Sequence, residues 1–97
     1  MNNAKESNEM SATFKFKYYQ DPGHGWGAVK RNVLVDLGIL NKISPFSYQK
    51  GNTVYLEEDC DLSTLTTALS SKGIWVEHVS KHTNGRSPIR NYAYFTA

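Results

Sequence analysis

The chain has a single cysteine, Cys60, among 97 residues, so no disulfide can form within it and a reducing compartment is the natural setting. No apolar run approaches the ~18 residues that a membrane span requires. Residues 1 to 11 are polar, rich in Asn, Ser, Glu and Lys, and contain no apolar signal-peptide core. The expectation is a cytosolic protein without a membrane partner. The formal net charge of +2 is too small to demand nucleic acid. CxxC, HExxH and P-loop spacings are all missing, so no metal or cofactor is expected.

With 39% hydrophobic and 12% aromatic residues, the chain can bury a core without help from a metal or a disulfide. Residues 1–11 lack periodicity and read as a disordered tail, leaving 12–97 as a single α+β domain. From Thr13, Phe14, Phe16 and Tyr18 alternate with Lys15, Lys17 and Tyr19, the period of a half-buried strand. The run Asp21-Pro22-Gly23-His24-Gly25-Trp26-Gly27 follows. Three glycines at alternate positions are a large conformational freedom to freeze, so an unusual backbone is expected there.

Val29, Val33 and Leu37 then recur every fourth residue, which predicts a helix over 28–37 closed by Gly38. Residues 46–49 and 53–57 flank Lys50-Gly51-Asn52 as a hairpin. Asp61 is placed to cap a second helix over 62–72, with Leu62, Leu65, Ala68 and Leu69 as its apolar stripe. Strands are expected at 74–79 and 91–96, joined by the polar segment 80–90. The order β-α-β-β-α-β-β suggests a split βαβ, ferredoxin-like plan. It has an antiparallel sheet of four to five strands, two helices on one face, and the last strand at an edge beside 74–79.

The glycine run lies between a strand and a helix pattern, where backbone N–H groups can hold phosphate. Its G-x-G-x-G spacing is not that of a dinucleotide or P-loop site, however. A structural corner that starts at Asp21-Pro22 and reverses under a Trp26 packed on the core, or a loop presenting His24 and Trp26 to a partner, fits better. His24, His78, His82 and Cys60 lack metal-ligand spacing. Cys60 sits among Glu57, Glu58, Asp59 and Asp61, which oppose thiolate formation and so disfavour a nucleophile. His24, His78 and Glu77 are the only acid–base candidates, and no catalytic set is expected. Lys15, Lys17 and Tyr19 share one side of the first strand with Tyr55 nearby, an arrangement that can stack bases and hold phosphates. The basic residues Arg86 and Arg90 of the 80–90 segment could add to it.

Three stretches, 18–26, 47–61 and 86–92, resemble a family of small uncharacterised bacteriophage and plasmid proteins, through the DPGHGW loop and the YLEEDCD segment. The resemblance implies a mobile-element setting and no catalytic residues. The expected function is therefore that of a non-catalytic accessory protein in the host cytosol. It would bind a host protein, in the concrete case to inhibit a defence system or enzyme, through His24, Trp26, Arg86 and Arg90. Glu57, Glu58 and Asp59 form a rival acidic surface. The alternative is a nucleic-acid-binding regulator using Lys15, Lys17, Arg86 and Arg90.

Overall fold

The computed structural model describes residues 12–97; the expected tail lies outside the described residues. Among the described residues, six strands and two α-helices follow one another in the order β1 (Thr13–Gln20), β2 (Gly25–Lys30), α1 (Arg31–Asp36), β3 (Tyr48–Lys50), β4 (Thr53–Glu57), α2 (Leu62–Ser71), β5 (Trp75–His82) and β6 (Ala93–Tyr94). They form one mixed sheet in the order β5-β1-β2-β4-β3-β6. β1 and β5 run parallel, and the other neighbouring pairs are antiparallel.

The α+β class stands, while the plan expected from sequence is corrected in three respects. The glycine run does not lead into a helix. It forms the tip of a β1–β2 hairpin and the beginning of β2, with Trp26 opposite Tyr19 on one side and Glu57 on the other. Residues 28–30 are strand as well, since Ala28 pairs with both β1 and β4, and Val29 and Lys30 pair with β4. The four-residue recurrence of Val29 and Val33 spans a strand–helix junction, and only 31–36 are helical. Finally, the last strand pairs with β3 at the edge opposite β5, and β1 pairs parallel with β5. The sheet is therefore not the expected antiparallel one of four to five strands but a mixed one of six, in an order that is not ferredoxin-like.

One sheet face carries Phe16, Val29, Val54 and Leu56, which join Leu34 of α1 and Leu65 and Leu69 of α2 in a single buried cluster. Burying each such side chain contributes roughly 1.5–3 kcal/mol before chain entropy is counted. The backbone of the glycine run is ordinary: positive φ occurs at Gly38, Gly51 and Gly73, not at 23, 25 or 27. Its glycines admit neighbours instead. A Cβ on Gly27 would stand 2.7 Å from Leu62 Cδ1 and 3.0 Å from the Phe16 ring, and one on Gly25 would collide with the Tyr18 hydroxyl. Tyr18 donates to Glu58 over that gap, and burial followed by the Glu58 bond pushes its phenol above the ordinary range.

Strand alternation puts Trp26, Tyr55, Tyr48 and Lys17 on the opposite face. The connection from β5 to β6 crosses this face. Its Arg90 guanidinium lies 5.3 Å from the Trp26 ring centre, and its Tyr92 ring lies 5.2 Å from that of Tyr55. A short 3-10 turn, Pro88–Asn91, buries Ile89 beneath it. No helix among the described residues is long and apolar enough to cross a membrane.

Candidate functional site

Asp21 closes the end of β1 and is almost wholly buried, its side chain 1% exposed. A buried carboxylate must be bonded or neutralised, and this one is both. Oδ1 accepts from the amides of Gly23 and His24, each at 3.0 Å, and from an Arg90 terminal nitrogen at 2.9 Å. Oδ2 accepts from the Ser87 amide at 2.9 Å and from Arg90 Nε at 2.6 Å. One side chain thus fixes the hairpin tip and ties it to the crossing segment 65 to 70 residues later. The Arg90 bond, helped by the three amides and opposed by burial, holds the Asp21 carboxyl well below the usual carboxylate range. Arg90 is pushed up in return, first by its bond to Asp21.

Asp61 does the same at the other wall. It does not cap α2 with its side chain, as the sequence predicts. Its carboxylate turns instead to the 44–47 turn, accepting from the Ser44 amide at 3.0 Å, the Ser44 hydroxyl at 2.8 Å and the Ser47 hydroxyl at 2.5 Å. Ser47 accepts in turn from the Glu57 amide at 3.0 Å. This turn holds Phe46 outward, 69% exposed.

Between these anchors lies a cleft of about 290 Å³ lined by His24, Trp26, Phe46, Tyr48, Glu57 and Asp59, with Cys60 and Arg90 at its margin. His24 Nδ1 is 3.5 Å from Glu57 Oε2. Glu57 Oε1 accepts from the amides of Asp59 at 2.9 Å and Cys60 at 3.0 Å. His24, Glu57 and Asp59 bring ligand atoms within 4.8 Å of one another, a group that could hold a divalent ion. The two amide bonds make Glu57 Oε1 the brace of the 57–60 turn and leave Oε2 turned to His24 and the cleft. The Cys60 thiol is exposed, and its pKa is pushed up by local desolvation and by Glu57, Asp61 and Asp59. That setting is the reverse of what a nucleophilic thiol needs.

The residues singled out from the sequence meet different fates. His24 is exposed at the cleft. Trp26 is 2% exposed, so of the two sequence readings the packed corner holds: it forms the floor and cannot project to a partner. Arg90 is spent on Asp21, whereas Arg86 is exposed and reaches Asn91 at 3.4 Å. His78 lies against the Phe16 and Tyr18 rings on the helix side of the sheet. Glu77, its neighbour, faces the other side and pairs with Lys15 at 3.7 Å. No hydrogen bond or ion pair joins any two of His24, His78 and Glu77 among the described residues. Lys15 and Lys17 line a second cleft of about 380 Å³ with Tyr19, Lys30 and Tyr55. Phe46 and Tyr48 were missed as site residues; an aromatic directly after Pro45 in a polar turn was the signal that could have marked the first.

No family model, curated protein or solved structure matches the chain. Three stretches marked in the sequence, 18–26, 47–61 and 86–92, meet in one place. Asp21, His24 and Trp26 come from the first, Tyr48, Glu57 and Asp59 from the second, and Ser87 and Arg90 from the third.

Proposed function

We propose that the chain is a non-catalytic binding protein whose cleft between the β1–β2 hairpin tip and the 44–47 turn docks a segment of another protein. The observation that carries this reading is the convergence of three distant stretches on a braced cleft that ends in an outward aromatic. Phe46 offers the apolar contact, and a rigid, exposed aromatic beside a concave surface is the usual form of a binding anchor. Glu57 and Asp59 favour a basic side chain from the partner, which Tyr48 and His24 would flank. The mobile-element resemblance makes a host protein the partner, and interference with a host defence system or enzyme the outcome.

The test is an affinity capture from host cytosol with the wild-type chain beside Phe46→Ala and Asp59→Lys. The reading expects one stoichiometric protein whose retention drops at least ~10-fold in either variant. Recovery only of nuclease-sensitive material, or equal recovery by all three chains, would overturn it.

The second cleft favours a different reading, nucleic-acid binding. Lys15, Lys17 and Lys30 surround Tyr19 and Tyr55 on the crossed sheet face, joining cations to stacking surfaces. Arg86 could extend that surface; Arg90, held by Asp21, is not free to. On this reading affinity falls steeply between ~50 and ~200 mM salt, and alanine at Lys15 and Lys17 flattens the slope.

A further inference from the structure

Every residue of β5 is exposed, on both faces of the sheet. Trp75 is 57%, Val76 37% and Val79 55% exposed, a concentration of apolar surface on one edge strand. The strand contains no proline, and nothing among the described residues pairs with its outer side. Edges of this length are normally blunted, because their free N–H and C=O groups recruit another strand.

The direction of those groups is fixed. The Trp75 amide bonds to the Ala12 carbonyl at 2.9 Å and the Thr83 amide to the Gln20 carbonyl at 2.8 Å, so the odd-numbered residues turn their backbone groups towards β1. By alternation Val76, His78, Ser80 and His82 turn theirs outward. An antiparallel neighbour must place outward residues opposite outward residues. For a second copy of β5 this permits only registers centred on a residue, never between two.

Side chains choose among them. Glu77 and Lys81 stand two residues either side of Val79, on the same face. A two-fold axis at Val79 sets Glu77 against Lys81 of the second copy, and Lys81 against its Glu77, with the two Val79 side chains touching between them. Those three positions are the close, non-hydrogen-bonded pairs, where side chains interact most. Val76 then faces His82 of the second copy and His78 faces its Ser80, with about eight backbone hydrogen bonds exchanged. Glu77 keeps Lys15 on its other side, so the charges alternate along the row.

We infer that β5 pairs antiparallel with β5 of a second copy about a two-fold axis at Val79, joining two six-stranded sheets into one. The contact is isologous and does not rest on the cleft reading. One strand pair is a small interface, so the dimer dissociates on dilution.

Sedimentation across about 5 to 500 µM tests this, the range being set by such an interface. Wild type is expected to pass from monomer to dimer. Ser80→Pro removes an outward N–H and puts a ring in the way of a neighbouring strand, and is expected to stay monomeric. Glu77→Lys or Lys81→Glu alone sets like charges opposite each other and should weaken the dimer about tenfold, and the two together should restore it. In a Cys60→Ser background, Val79→Cys should form a disulfide-linked dimer on mild oxidation, whereas Val76→Cys should not. That pair decides the matter if Ser80→Pro fails to fold. A wild type that is monomeric throughout, a double exchange that fails to recover, or equal cross-linking at 76 and 79 would overturn the inference.

Discussion

Asp21 and Glu77 are both carboxylates beside a basic residue on the same sheet, and they are used in opposite ways. The Asp21 side chain is 1% exposed and meets Arg90 at 2.6 Å, with three amides completing its bonds. Glu77 is 63% exposed and meets Lys15 at 3.7 Å, with no other ion pair among the described residues. The first pair fixes a hairpin tip to a chain segment that crosses the whole sheet. The second decorates an edge and is free to accept a new neighbour. Burial and the number of partners, not the presence of an ion pair, separate a scaffold from a contact surface.

The sharpest way to break this comparison is Asp21→Asn. It leaves Arg90 partly buried without its counter-charge, and Tm should fall by on the order of 10 °C in a thermal melt. The same carboxylate sets an acid limit. Its folded pKa lies below the unfolded value of about 3.9, so the stability it contributes is complete above about pH 5 and drains away as pH falls below about 4. Wild type should therefore lose Tm between about pH 5 and 2 faster than Asp21→Asn does.

A smaller effect is expected within the hairpin. Gly27→Ala presses a methyl against Leu62 and Phe16 and should cost about 1–3 kcal/mol in chemical denaturation. Gly85→Ala meets open space and should stay within about 0.5 kcal/mol of wild type. Smallest of all is the edge pair. A double-mutant cycle on Lys15 and Glu77, run below the dimerisation range, should give a coupling under about 1 kcal/mol. A coupling several times larger would erase the distinction drawn between the two carboxylates.

These contrasts also explain what could be read from the sequence. Alternation in 13–19, the Lys50-Gly51-Asn52 hairpin and the Leu62–Leu69 stripe are local patterns, and each forms the expected element. The helix expected from Ala28 failed because Val29 and Val33 obey a four-residue spacing while β4 claims 28–30 and β1 claims Ala28 as well. A single sequence does not show those flanking strands. The same holds for the glycine run, whose small side chains serve Tyr18, Leu62 and Phe16, residues contributed by other elements. At the candidate site His24 and the acidic group were legible as chemistry. A packed Trp26 was legible as one of two readings of the glycine run, and its burial decides between them. Arg90 as brace was not, because its role depends on a partner 69 residues away in the chain. Asp61 was read as a helix cap, since nothing local announces that Ser44 and Ser47 bring their donors to it.

Residue-resolved amide exchange on a dilute sample tests the division between fixed corner and open edge most directly. The account expects slow exchange at Gly23, His24 and Ser87, whose amides donate to Asp21, and fast exchange at Val76, His78, Ser80 and His82, whose amides point outward from β5. Fast exchange at the three corner amides together with protection along the dilute β5 edge would contradict it.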